Sequence, residues 1–306
     1  MLGTRVRLTL ASVMVLGLAA CGGHPDPAGV AAGPPSSEAP VTSSPPAPVT
    51  SPPASPSASP KPSASKKPAP KPSSTLKKQV AAGGDTGGAK PPAPGGDGVP
   101  ATGAGTFTVA GGGTGIVGTG ATLVKYRVEV ENGIQWGSNP VWTTDKTAAE
   151  VERALGAQLG WTMSAEHPVT YAPNKLTDAS WSFQRVSGED YSVRLRLATP
   201  GTVDKLCASV GVSTQGIYSC RYGQTILLNL RRWLKGIDGA PGVDFHANTV
   251  NHEMGHFLGF DHMKCPGSGQ PAPIMQTQTI ALNGCTINSF PFTTEGTFVQ
   301  GPWAPS

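Results

Sequence analysis

The sequence predicts an α+β fold in which a mostly N-terminal sheet packs against two helices. Residues 123–130 alternate along the chain as a half-buried strand does. Residues 145–159 and 243–258 read as helices. Between those helices lie two pairs of strand-like runs, each pair split by a cluster of turn residues. Strands come first with one helix among them, and a long helix follows.

Each element has its own signal. In residues 145–159, Ala148, Val151, Ala154 and Leu155 recur at helical spacing; Asp145 can cap the start and Gly160 ends the run. Residues 181–186 and 191–198 flank Ser187, Gly188, Glu189 and Asp190, the composition of a hairpin turn. A short helix is expected over 199–207. Residues 217–221 and 225–230 flank Tyr222, Gly223 and Gln224, a second expected hairpin. The last helix, 243–258, stops at Gly259, a residue suited to the left-handed conformation that ends helices.

The first third of the chain has a different character. Arg5 and Arg7 precede an apolar run, residues 8–18, too short for a membrane span, and the run ends at Leu18, Ala19, Ala20 and Cys21. This is similar to a bacterial lipobox, which implies a signal peptide over 1–20, cleavage before Cys21 and a lipid on its thiol. A plain secretory signal with Cys21 unmodified is the alternative. Residues 21–105 are rich in Pro, Ser, Ala, Gly and Lys and nearly free of aromatic residues, so they bury too little apolar surface to offset ordering. Extended polyproline at about 3.1 Å per residue would let such a tether reach up to roughly 250 Å, from a membrane into a cell wall. The net charge of +4 sits largely in its isolated lysines, such as Lys61, Lys66, Lys71 and Lys77, which describes a solvated spacer and not a nucleic-acid surface. A folded domain is expected over 106–306, outside the cytoplasm.

Cys207, Cys220, Cys265 and Cys285 make an even set in an exported chain. Of three connectivities, pairing of neighbours, Cys207 with Cys220 and Cys265 with Cys285, is favoured, each bridge contributing about 3 kcal/mol. No two cysteines stand two residues apart, which argues against a cysteine-ligated zinc site.

The long last helix carries the chemistry. His252 and His256 lie four apart, one turn from each other on one face, so both imidazoles can reach a single ion. Glu253 adjoins the first and is displaced from that face, too far round to be a third ligand but placed to touch a water on the ion. A sharp turn at Gly259 can return His262 as the third ligand. Three neutral imidazoles leave a fourth tetrahedral position open, the mark of a catalytic rather than a structural zinc site. Two surface histidines on a helix are the plain alternative. Elsewhere, His246 falls on another helix face, where capping or exposure is expected, and His24 and His167 read as bystanders. Asp261 is read either as an acceptor orienting a ligand imidazole or as an exposed loop residue. There is no Gly-rich loop with Lys and Ser or Thr, and so no phosphate-binding chemistry.

The string from His252 to His262 resembles the metzincin signature, the zinc-binding consensus of astacin, matrix and reprolysin-type peptidases. The resemblance implies a mixed sheet against two helices, a small irregular C-terminal subdomain after the active-site helix, one Zn2+ per chain and Glu253 as general base. Pro273, Ile274 and Met275 look like the Met-turn of that family, with Met275 beneath the metal; an ordinary core methionine is the alternative. Residues from Thr106 onward also resemble an uncharacterised family of exported actinobacterial proteins. The shared features are the Asn251 to His256 run, Cys265 with Pro266, and Gly284 with Cys285. One departure concerns the tyrosine that several metzincins carry two residues after the methionine. Thr277 stands there, and no oxyanion stabiliser is assigned.

These readings converge on an extracytoplasmic, lipid-anchored zinc endopeptidase acting on a protein or peptide substrate. By analogy, the substrate adds a strand near residues 217–221. The alternatives are a non-catalytic, zinc-stabilised envelope binding module and a zinc amidase acting on cell-wall peptides. Glu253 argues against the first, because a structural site needs no base.

Overall fold

The computed structural model describes residues 96–237, 240 and 243–304. The expected signal peptide, Cys21, His24 and the tether as far as residue 95 lie outside the described residues. The central strand is β2 (Thr122–Glu131), and β1 (Phe107–Val109) pairs antiparallel with its end. The strands β5 (Trp181–Arg185), β6 (Val193–Ala198) and β8 (Thr225–Asn229) all run in the direction of β2, and β7 (Cys220–Tyr222) closes the far edge antiparallel to β8. The order is β1-β2-β6-β8-β7, with β5 also on β2. A separate two-stranded ladder joins β3 (Val169–Tyr171) to β4 (Leu176–Ala179). The fold is therefore α+β with a mixed sheet.

Alternation along β8 assigns the two faces. Ile226 and Leu228 enter the main core with α1 (Thr144–Leu155) and α4 (Phe245–Leu258). Leu227 enters a smaller core with Val203 and Cys207 of α2 (Pro200–Ala208), on the opposite face. A short α3 (Leu230–Lys235) follows β8 directly. Both expected disulfides are present, Cys207–Cys220 tying α2 to the edge strand and Cys265–Cys285 closing a loop after α4.

Several expectations are corrected. The run 181–198 is not a hairpin: β5 pairs parallel with the first half of β2 and β6 with the second. Val186 N donates to Tyr126 O and Ser192 N to Lys125 O. Successive strand carbonyls face opposite edges, so the chain steps across β2 instead of reversing. The polar turn residues hold this crossing: Arg127 bonds Glu189 (2.6 Å) and the Gly188 carbonyl (3.4 Å), and Lys125 bonds Asp190 (2.6 Å). The first helix starts earlier and ends earlier than its periodicity suggests. Thr143, not Asp145, is the cap, its side chain accepting from Lys146 N, and Gly156 ends the helix four residues before Gly160.

The folded region also reaches upstream of Thr106. Val99 is buried, the Ala101 carbonyl accepts from Gly201 N (2.9 Å), and Ala104 N donates to Asn132 O (2.8 Å). Glu131 organises this entry. Its buried carboxylate accepts from Gly105 N (2.9 Å), Thr199 N (2.8 Å), Thr199 Oγ1 (2.8 Å) and Thr202 Oγ1 (2.5 Å), at the positive end of α2. No apolar periodicity announces such a contact.

After α4 the described residues 259–304 form no helix or strand, only isolated bridges such as Met263 with Trp303 and Pro271 with Thr286. Buried backbone groups still need partners, and amide side chains supply them. Asn288 Nδ2 donates to the Ala272 and Phe290 carbonyls, Gln278 Nε2 to Asn288 O, and Gln276 Nε2 to Ala281 and Leu282. Asn248 and Asn251 on α4 reach the Asn288 and Ser289 carbonyls, so the segment is stitched to the helix that bears the histidines.

Candidate metal centre

The helix α4 is fixed at both ends. Asp244 caps it, accepting from Ala247 N (3.0 Å), and Arg153 of α1 pairs with the same carboxylate. At the other end Gly259 takes φ +106°, and Phe260 N donates to Gly255 O (3.0 Å). A Cβ is disfavoured at that backbone angle, and the turn it permits sends the chain back over the helix. The return brings His262 to the two helical imidazoles: ring centroids lie 4.8 Å apart for His252–His256, 4.7 Å for His256–His262 and 5.4 Å for His252–His262.

The backbone sets how two of these rings point. His252 Nδ1 lies 2.7 Å from the Ile274 carbonyl and His256 Nδ1 lies 3.0 Å from the Phe260 carbonyl. A carbonyl only accepts, so each Nδ1 carries the proton and each Nε2 turns a lone pair inward. His256 Nε2 and His262 Nε2 are 3.2 Å apart, and the three ligand atoms lie within 4.8 Å of one another. Two nitrogens on a tetrahedral ion at about 2.0–2.1 Å would stand roughly 3.3 Å apart. The triad fits a metal ion.

Electrostatics agrees with that use. Burial, reinforced by His262, holds the His252 imidazole down to about 3. Burial and the neighbouring His252 and His262 hold His256 well below the usual histidine range, and burial lowers His262. All three are neutral at neutral pH, the form that ligates metals. Burial pushes the Glu253 carboxyl up to about 8, against the opposing pull of Arg221. Glu253 is 6% exposed and makes no hydrogen bond among the described residues.

The triad and Glu253 line one cleft, bounded on one side by Tyr218 and Arg221 of the edge-strand region and on the other by Thr277 and Thr279. Met275 is fully buried beneath the helix at Gly255, and the carbonyl before it is the one that orients His252. A Cβ on Gly255 would overlap Met275 Sδ and come within 3.0 Å of Trp161 Cζ2. Trp161 is itself fixed, its Nε1 donating to Asn251 O (3.0 Å) and its ring stacked on Phe260 at 5.1 Å. Gly255→Ala is therefore expected to lower stability by about 1–3 kcal/mol, although an alanine inside a helix ordinarily gains about 1 kcal/mol. Denaturant unfolding measures the sign, and a gain would mean that Met275 does not pack there.

The structure brings together the sequence-derived His252, Glu253, His256, His262 and Met275. It places His246 elsewhere: that ring stacks on Trp233 at 4.0 Å and bonds Glu150 (2.8 Å), joining α1 to α4. Asp261 lines the cleft and accepts from His262 N (2.8 Å) through Oδ1. Trp161, Arg221 and the Ile274 and Phe260 carbonyls went unread in the sequence. Backbone acceptors leave no mark on residue type. Arg221 had one available signal, its position directly after a disulfide cysteine in an edge strand.

A family described as a protein of unknown function (DUF3152) matches residues 93–300. The chain belongs to this DUF3152 family. The match begins upstream of Thr106, as the packing of Val99 and Ala101 does, and it spans α4, His262 and both disulfides. No curated protein and no solved structure matches the chain.

Proposed function

We propose that the chain is an extracytoplasmic zinc-dependent endopeptidase, anchored through a lipid on Cys21, with His252, His256 and His262 as ligands and Glu253 as general base. The observation that carries the reading is the pairing of two features in one cleft. Three imidazole nitrogens converge, and a buried carboxyl stands beside them with no hydrogen-bond partner among the described residues. A closed structural site gains nothing from an unpartnered carboxyl, whose burial is costly; a hydrolytic site needs one.

One zinc ion held by the three imidazoles would supply a Lewis acid for a carbonyl oxygen and an acidified water. The chain's own groups do the rest. His252 and His256 are pre-oriented by their Nδ1 bonds to Ile274 and Phe260, so ligand geometry costs no reorganisation. Glu253, in the cleft beside the triad, takes a proton from water as carboxylate and returns it to the leaving amine. The β7 edge offers unpaired backbone groups on which an extended peptide can add a strand, running past the triad. The mixed sheet with an antiparallel edge strand, the long helix and the buried Met275 beneath it all support the metzincin-like reading.

The test is elemental mass spectrometry of the purified chain together with hydrolysis of an unfolded protein such as casein. One zinc per chain is expected, with hydrolysis lost on chelation and restored by zinc. A folded chain that takes up no added zinc would end the peptidase reading.

A further inference from the structure

The edge strand carries a cation that reaches no carboxylate within ion-pair distance among the described residues, the Glu253 carboxyl acting on it only from across the cleft. Cys220 faces α2 through its disulfide to Cys207, so Arg221, the next residue of β7, projects to the opposite face. Register agrees. Leu227, opposite Cys220, lies in the smaller core with α2, whereas Ile226, opposite Arg221, lies in the main core with α4. The guanidinium lines the cleft that holds the histidine triad and Glu253, and its carbon lies 5.8 Å from the Phe257 ring centroid. Its Nε is buried and makes no hydrogen bond, and Arg221 forms no ion pair among the described residues. Arg232 lines the same cleft. A guanidinium presents donors in a planar fork that matches a carboxylate two bonds at a time. Leaving it unpaired in a partly buried site is unfavourable, and a carboxylate brought by a ligand removes that penalty.

We propose that Arg221 anchors a substrate carboxylate, so that the cleft selects peptides bearing a carboxylate near the scissile bond. This rests on the peptidase reading of the same site. The carboxylate has two sources, an acidic side chain or a free C-terminus.

Binding to the chelator-treated full chain, which hydrolyses nothing, separates them. Three peptides of one sequence are compared by calorimetry: Glu with an amidated end, Gln with a free acid end, and Gln with an amidated end. One carboxylate peptide is expected to bind roughly 10–100-fold tighter than the neutral one, and which one does so names the source. Arg221→Gln should erase the difference and Arg221→Lys should keep part of it. Arg221→Leu should melt higher, since an unpaired cation has been removed. Equal binding of all three peptides, discrimination that survives Arg221→Gln, or a lower melting temperature for Arg221→Leu would overturn the proposal. Discrimination without hydrolysis by the zinc-loaded chain would keep the anchor and sink the peptidase; hydrolysis without discrimination would do the reverse.

Discussion

Glu253→Gln is expected to lower hydrolysis by about 10²–10⁴-fold, the usual share of a general base, and to leave zinc content unchanged. The carboxyl is separate from the ligand set, because the three nitrogens that converge belong to His252, His256 and His262. Glutamine keeps the shape and loses the basic oxygen. Elemental analysis and a casein assay on the same preparation read both halves; hydrolysis that persists in the zinc-loaded variant would remove Glu253 from the mechanism.

The same variant has a signature that needs no substrate. In the chelated protein, burial raises the Glu253 pKa from 4.5 to about 8. A group whose folded pKa lies above its unfolded value binds more protons when folded, so its contribution is present at low pH and lost as pH rises through 8. The three histidines shift the other way, from 6.5 downward, and their contribution is lost as pH falls below 6.5. Across pH 6.5 to 8 the histidine contribution is still rising while that of Glu253 falls, so comparison with Glu253→Gln, which keeps the histidines, isolates the carboxyl. Relative to Glu253→Gln, wild-type metal-free protein should lose roughly 1–2 kcal/mol across that window. Urea unfolding at three pH values decides it; parallel curves for the two proteins would place Glu253 in water rather than in the core.

How much of this was legible in the sequence depended on the range of the interactions concerned. The α4 helix, its stop at Gly259 and the spacing of His252, His256 and His262 are local matters of periodicity and turn chemistry, and they were readable. The β7–β8 hairpin turns at Gly223, φ +50°, and was readable for the same reason. The relation of β5 to β6 was not, because it depends on a third strand: Arg127 and Lys125 of β2 hold the loop across themselves. Only pairing partners far away in sequence distinguish a crossing from a hairpin. The three- and four-residue β1, β3 and β4 are too short for a periodic pattern, whereas α3 carries local signals, a cap at Asn229 and a stop at Gly236. The upstream start of the domain escaped because Glu131 draws in backbone amides, whose presence every residue shares. Among the site residues, side chains with metal chemistry were found and the groups that orient them were not. Ile274 acts through a carbonyl that any residue would have offered.

That division of labour leads to the second large effect, His256→Ala. In the metal-free chain three neutral imidazoles crowd together, with His256 and His262 nitrogens 3.2 Å apart. The assembled cluster exists only in the folded chain, so metal binding stabilises the fold. At a free zinc concentration a thousandfold above Kd the gain is about 4 kcal/mol. For a domain of this size that corresponds to a melting temperature roughly 8–16 °C higher. The wild-type chain is expected to drop by that amount when chelator is added. His256→Ala, with two imidazoles left and one of the inward-facing nitrogens gone, should hold no zinc and should melt at the same temperature with or without chelator. It should melt somewhat below chelated wild type, because the variant also loses the His256 bond to the Phe260 carbonyl. Calorimetric scans of the four samples, two proteins with and without chelator, measure all three statements. A wild-type chain indifferent to chelator would mean that the triad, for all its convergence, is not a metal site, and the case for hydrolysis built on it would fall with it.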